Sequence, residues 1–349
     1  MKTDTFDINK LIRENIKQMK PYASARSEFT SKATNMVFLD ANENPFENGL
    51  NRYPDPQQLS LKEVLAQQKS VRTENILLGN GSDEILDLIF RVFCEPSRDN
   101  VITLPPTFGI YDVLANTNNI ENRKVVLGDN FQPDVDGILA RTDANSKLIF
   151  ICSPNNPTGN TIDIEDITRL LNSFNGLVVI DEAYIDFSKK ESWISKLDEF
   201  SNLIITQTLS KAYGLAGIRL GICYASKEII AVLNKIKLPY NINELTQQKA
   251  LEKVVMIEEI KNEISSILNE KERLLKELLQ VSFIKKIYPS DANFILIKVD
   301  DANNRYQQLI EKGIVLRNRT TQALLKNCLR ITVGTKEENE KLINTLNEL

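Results

Sequence analysis

The sequence predicts an α/β protein: a large domain built on a mostly parallel sheet covered by helices on both faces, with a smaller α+β domain attached. Three observations predict it. Between about 60 and 225, short β-rich runs alternate with helical stretches, which is the rhythm of βαβ units. Beyond 281 the rhythm changes to closely spaced strands with two flanking helices. At 349 residues the chain is also too long for one ordinary core.

Taken in chain order, residues 1–35 form an N-terminal arm with a short amphipathic stretch and "MKPYASAR", too little for a core of its own. The arm is predicted to join the small domain. The large domain spans 36–240. It opens with a small strand, "MVFLD", and a loop, "ANENPFENGLNRYPDPQQ", whose Asn, Pro and Gly residues are turn chemistry. The strands that follow are "NILLG", "VITL", "RKVVL", "KLIFIC", "LVVID", "LIITQT" and "RLGICYA"; "SDEILDLIFRVFC" and "IEDITRLLNSF" are two of the intervening helices. Connecting helices occupy 241–280, with one apolar stripe through Ile257, Ile260, Ile264, Ile267, Leu274 and Leu278. The small domain, 281–349, contains the strands "FIKKIY", "NFILIKV", "GIVLR" and "CLRITVG".

Composition excludes several function classes. Hydrophobic residues at 42% and charged residues at 26% fit a globular protein, and no apolar run approaches the length of a membrane span. A net charge of −4 offers no electrostatic footprint for nucleic acid. The charged, amphipathic N-terminus resembles no secretory signal, so a cytoplasmic protein is expected. Cys94, Cys152, Cys223 and Cys328 are widely spaced and read as buried thiols rather than as disulfides or a metal site. Histidine is absent altogether. Ser-His-Asp and Cys-His nucleophiles, HExxH metal sites and imidazole bases are thereby excluded together.

Four stretches carry the chemistry. Asp181 ends the apolar run "VVID", at the sheet edge where α/β proteins place ligand groups; alone, an acid there also serves as a turn or cap. "SPNNPTG" (153–159) would form a loop after the preceding strand whatever its function. In "GNGSDE" (79–84) a turn enters a helix with Ser82 as N-cap, and the free amides of such a terminus suit a phosphate. In "TLSKAYGLAGIRLG" (208–221), Lys211 follows Ser210 and precedes Arg219 by eight positions. A phosphate grip, an acid for a ring nitrogen and a single amine are together the needs of pyridoxal 5′-phosphate.

"SPNNPTG", "DEAYIDF", "TLSKAYGLAGIRLG" and "CLRITVGT", in this order, resemble the fold-type-I aminotransferases. With "PYASAR", "LDANENP", "NRYPDP" and "PPTFGIY", the chain resembles the histidinol-phosphate aminotransferase family from about 15 to 345. The resemblance implies that Lys211 holds the cofactor covalently and then acts as the base at the substrate α-carbon. It implies that Asp181 salt-bridges the ring nitrogen, and that Tyr184 and Asn156 bond the phenolic oxygen. Ser82, Ser210 and Arg219, with the amides near Gly81 and Asp83, would grip the cofactor phosphate. Phe108 stands where relatives often have a tyrosine stacked on the ring, so stacking is expected without a hydroxyl contact; the alternative is a core aromatic beside Tyr111.

For the substrate, the resemblance points to Arg330, Arg317 and Tyr22 on a phosphate or carboxylate; Arg317 could equally be an exposed strand-end cation, since Arg319 lies two residues away. Arg330 is also a charge in an otherwise apolar strand, which is costly to bury without an anion. Tyr53 would cross from a second subunit to the cofactor phosphate, implying a homodimer. The implied reaction transfers an amine between histidinol phosphate and 2-oxoglutarate, with glutamate and imidazole-acetol phosphate as the other pair. Aromatic transamination and phosphothreonine decarboxylation on the same scaffold are the alternatives. A regulatory, non-catalytic domain would need a basic DNA-binding module for which the chain has no spare length.

Overall fold

The computed structural model describes residues 6–22 and 36–349. The large unit is a seven-stranded sheet in the order β1-β7-β6-β5-β4-β2-β3. Its strands are β1 (Ile76–Asn80), β2 (Asn100–Thr103), β3 (Glu121–Lys124), β4 (Ser146–Cys152), β5 (Leu177–Asp181), β6 (Leu203–Thr208) and β7 (Leu220–Ala225). β7 runs antiparallel to both neighbours; every other pair is parallel.

Strands buried on both faces need apolar residues at every position, and the alternation of side chains divides them between two layers. In β4, Ile149 and Ile151 enter one core, while Leu148, Phe150 and Cys152 enter the other. In β5, Val178 and Ile180 are likewise separated from Leu177 and Val179. The covering helices are α1 (Glu14–Gln18), α2 (Leu59–Lys69), α3 (Gly81–Phe93), α4 (Ile110–Thr117), α5 (Val135–Ala140), α6 (Ile164–Ser173), α7 (Lys227–Ile236) and α8 (Glu244–Val254). The 22-residue helix α9 (Ile257–Leu278) then leads into a four-stranded antiparallel sheet, β10-β11-β9-β8. Its members are β8 (Ile284–Ile287), β9 (Phe294–Val299), β10 (Arg317–Asn318) and β11 (Cys328–Thr332), with α10 (Ala302–Glu311) and α11 (Lys336–Asn347). This smaller unit has its own core around Leu274, Ile295, Ile297, Leu309, Leu329 and Leu342.

Several expectations differ from the structure. "MVFLD" forms no strand: Val37 and Leu39 are 80% and 88% exposed, with no neighbouring strand to satisfy their backbone. The described part of the arm docks on the large unit, not the small one. Leu11, Ile12 and Ile16 enter the core that contains α3, and Arg13 bonds the Arg91 carbonyl and Glu95. The apolar face of that short stretch selects the nearest apolar groove, which α3 and α7 supply. The regular strand in "RKVVL" ends at Lys124, although the Val125 and Leu127 amides still bond the Thr103 and Pro105 carbonyls, and "GIVLR" shrinks to a two-residue strand. Helix α3 begins at Gly81 with Asn80 as N-cap residue, so Ser82 lies inside the first turn and its hydroxyl is not the cap. The four cysteines are buried and free. No helix among the described residues is long and apolar enough to cross a membrane.

Candidate active site

A cleft of about 450 Å³ lies over the carboxyl ends of β4, β5 and β6, where the small unit closes on the large one. In α/β sheets this edge collects ligand groups because strand ends and following loops converge there. The cleft gathers Gly81, Ser82, Asp83, Phe108, Asn156, Asp181, Tyr184, Ser210, Lys211, Arg219, Arg317 and Arg330, supplied by separate loops and strands. Tyr22 and Tyr53 are not among the residues lining it. Tyr22 follows the stretch anchored on α3 and α7 and is 75% exposed, so the single chain does not bring it to the site. Tyr53 is 52% exposed and stacks on Tyr240 with ring centroids 4.5 Å apart.

One end of the cleft is a cup for an anion. The Gly81 amide donates to the Arg219 carbonyl at 2.9 Å, and helix geometry leaves the next amides of α3 without intrahelical acceptors. Arg219 has a left-handed φ of +55°, which turns its side chain across the start of α3. There it meets Asp83 at 3.5 Å. Gly81 has φ +72°, and a Cβ at this position would come within 2.6 Å of the Arg219 Nη2. Only glycine permits that approach. The Thr208 hydroxyl donates to Ser210 Oγ at 3.0 Å and accepts from the Ser210 amide at 3.1 Å, fixing the residue before Lys211.

Two neighbouring acids at the end of β5 have different fates. Glu182 is saturated by protein donors: Ser192 Oγ at 2.5 Å, the Trp193 amide at 2.7 Å and Gln207 Nε2 at 2.8 Å. Asp181 lines the cleft, is 2% exposed, and receives the Tyr111 hydroxyl at 2.8 Å and the Ala183 amide at 3.2 Å. Burial raises its carboxyl above the usual range, more than the Tyr111 hydrogen bond lowers it. A cation placed in the cleft would reverse that penalty. Lys211 stands at the open side of the cleft, its Nζ 5.7 Å from the Tyr184 ring centroid. Desolvation, then the nearby Arg330, lowers its ammonium below the ordinary lysine value. Burial pushes the Tyr184 hydroxyl up.

The opposite wall is cationic. Arg317 and Arg330 are direct partners in the β10–β11 register, and Arg319 continues the same edge. Arg330 donates through Nη1 to Asn156 Oδ1, and its Nε, like that of Arg319, is buried with no hydrogen-bond partner. These donors, the buried Asp181 and the amide cup are the complement of an anionic ring with a cationic nitrogen. The residues fit pyridoxal phosphate.

The sequence showed Tyr111 only as a neighbour of Phe108, and gave no sign of the part played by Thr208. Tyr111 could have been suspected as the one hydroxyl on the apolar side of α4, but its partner lies 70 positions away. Phe108 meets Tyr111 edge-on, with centroids 5.8 Å apart.

Residues 30–346 match the family model for aminotransferase class I and II. The chain belongs to the class I and II aminotransferases. It is 64% identical over 344 residues to a histidinol-phosphate aminotransferase of Flavobacterium johnsoniae, covering 98% of this chain and 99% of that protein. A protein of the same name from Christiangramia forsetii is 61% identical over 344 residues, covering 99% and 98%. Among solved structures, the histidinol-phosphate aminotransferase of Clostridium acetobutylicum superposes with a TM-score of 0.79 at 25% identity, over 86% of this chain and 90% of that one. The L-threonine-O-3-phosphate decarboxylase of Porphyromonas gingivalis shares the fold, with a TM-score of 0.72 at 21% identity over 86% and 90%. This aminotransferase is an enzyme whose cofactor is pyridoxal 5′-phosphate.

Proposed function

We infer that this aminotransferase exchanges an amino group between histidinol phosphate and 2-oxoglutarate, with imidazole-acetol phosphate and glutamate as the returning pair. The observation that carries the reading is the meeting, in one cleft, of Lys211 and Asp181 with two separate anion sites. One site serves the cofactor phosphate; the other is left for the substrate. Near-full-length relatives at 61–64% identity bearing the histidinol-phosphate name support the choice of substrate.

Bound pyridoxal phosphate supplies an aldehyde for the incoming amine and a ring that withdraws electrons from the substrate α-carbon. Gly81, Ser82, Asp83, Ser210 and Arg219 hold its phosphate, the amides and guanidinium acting together. Asp181 stays ionised against the ring nitrogen, and Tyr111 holds the Asp181 carboxylate in place through its hydroxyl. Tyr184 and Asn156 donate to the phenolic oxygen; the Asn156 carbonyl oxygen is engaged by Arg330, which leaves its amide nitrogen as the donor. Phe108 covers the ring face. Lys211 Nζ, once free, takes the proton from the substrate α-carbon, and its lowered ammonium value leaves more neutral amine near pH 7. Arg317 and Arg330 bind the substrate anion. Tyr22 takes no part in the single-chain cleft.

A homodimer belongs to the same reading. Leu39 and Phe46 are 88% and 80% exposed, Leu238 and Leu245 are 70% and 60% exposed, and Tyr53 lies between these segments beside Tyr240. Leu50, Tyr53, Tyr240 and Leu245 line one groove there, and exposed apolar side chains in it support burial by a second copy, with Tyr53 reaching the partner's cofactor phosphate. A phosphate monoester does not diffuse through a bilayer, which supports a cytoplasmic setting. The test is a two-stage assay. Glutamate converts the holoenzyme to its amine form, and imidazole-acetol phosphate is expected to return it to the aldehyde form with release of histidinol phosphate. Faster return with phenylpyruvate than with imidazole-acetol phosphate would refute the substrate assignment and leave the cofactor chemistry standing.

A further inference from the structure

The cationic wall has one arginine more than a carboxylate clamp needs. Arg317 sits directly opposite Arg330 across the β10–β11 ladder, and like charges in that position oppose pairing. Arg319, two residues on, adds a third positive charge to the same wall of the cleft. Its backbone is pinned at both ends: the amide donates to the Cys328 carbonyl at 2.9 Å, and its carbonyl accepts from the Gln322 amide at 3.0 Å. The Arg319 Nε is buried without a partner. Among the ion pairs of the described residues, none involves Arg317, Arg319 or Arg330. Burial lowers the Arg319 guanidinium to about 10, helped by Arg330 and then Arg317, with Tyr184 opposing. Arg330 is anchored by Asn156 and by the Phe294 ring, 5.0 Å from its guanidinium, but no carboxylate offsets the three positive charges, and a bound anion would.

We propose that Arg319 is a specificity residue that makes the cleft select acceptors and donors carrying two negative charges. This rests on the reading above and deepens it. The two substrates of the proposed reaction differ in shape, but each brings two negative charges. A phosphate monoester holds both on one group above its second ionisation near about 6. Glutamate divides them between two carboxylates. Arg330 and Arg317 can together clamp one anionic group; Arg319 is the cation placed for the second negative charge. An amino acid with a neutral side chain brings one negative charge and leaves the third guanidinium unpaired.

The experiment uses the holoenzyme, in which the cofactor phosphate already fills the amide cup, and follows anion binding through the cofactor absorbance. The probes are inorganic phosphate, glutarate and butanoate. Arg319→Gln should weaken glutarate and phosphate about 10- to 100-fold and butanoate less than about 3-fold. The wild-type gain in inorganic phosphate affinity as the monoanion becomes the dianion should flatten in Arg319→Gln and persist in Arg319→Lys, which keeps the charge. Removing the repulsion should also raise the thermal midpoint of the apoprotein. Equal weakening of glutarate and butanoate overturns the proposal, and so does a lowered apoprotein midpoint or an Arg319→Lys that behaves like Arg319→Gln. Because these titrations need no turnover, failure with imidazole-acetol phosphate would sink the proposed reaction while leaving the charge preference measurable.

Discussion

Replacing Tyr111 by phenylalanine tests whether the tyrosine governs the charge of Asp181. The change removes one hydroxyl and keeps the ring, which stacks on Phe150 at 5.0 Å, so core packing survives. The lost hydrogen bond, 2.8 Å long and fully buried, joins a neutral donor to a carboxylate. Such a bond is worth about 1.5–3 kcal/mol when the acceptor is ionised and about 0.5–1.5 kcal/mol when it is neutral. The substitution therefore costs the ionised acid about 1 kcal/mol more than the protonated one. Burial already holds the folded carboxyl above its unfolded value, so the native apoprotein binds the proton more tightly than the unfolded chain. Its stability accordingly falls as pH rises from the unfolded value, about 3.9, through the raised folded value, and then levels. Tyr111→Phe raises the folded value further and extends that fall on the alkaline side. Urea unfolding of both apoproteins, followed by the fluorescence of Trp193, should show a deficit that is smallest at acid pH, near the unfolded value of about 3.9, and about 1 kcal/mol larger at alkaline pH. A deficit constant across that interval would refute the reasoning.

Other outcomes follow from the same geometry. Lys211→Ala should abolish the cofactor band that borohydride fixes to the protein; persistence of that label would move the covalent link to another amine. Gly81→Ala puts a Cβ within 2.6 Å of Arg219 Nη2 at φ +72°, so cofactor affinity should drop at least about tenfold and stability by about 1–2 kcal/mol, read by titration and unfolding. Arg330→Gln removes a charge that lowers the Lys211 ammonium, so cofactor capture by the apoprotein should slow near about pH 7 and recover at alkaline pH. Rates unchanged at both pH values would contradict that coupling. Mixing Tyr53→Phe with Lys211→Ala subunits should restore one intact site per mixed dimer; cofactor affinity no better than in either parent would argue against a shared site.

Much of the fold was legible because its signals are local. Apolar runs of strand length alternating with amphipathic helices specify a covered parallel sheet, and the strands of the large unit from Ile76 to Ala225 follow that reading. The failures occurred where local preference was weak. "MVFLD" has strand-like residues but no partner strand, and the amphipathic arm could dock on either unit until the groove beside α3 existed to receive it. At the site, residues belonging to contiguous patterns were visible beforehand: Asp181 at its strand end, Lys211 after Ser210, Asn156 in its loop. Their supports were less so: Tyr111 reaches Asp181 across 70 positions, and Arg330, expected on the substrate, also reaches Asn156 across 174.

The sequence by itself determined the chemistry on offer: one amine among small residues, an acid at a strand end, a glycine-led helix start, and no imidazole anywhere. These are properties of neighbouring residues, and elementary propensities carry them into place. Tertiary structure alone decided which of two adjacent acids is left for a ligand, with Glu182 saturated by the protein and Asp181 turned to the cleft. It alone brought three arginines onto one wall. Hydrogen-bond partners and charge neighbours are chosen by packing between segments apart in sequence, and that packing exists only once the chain has folded.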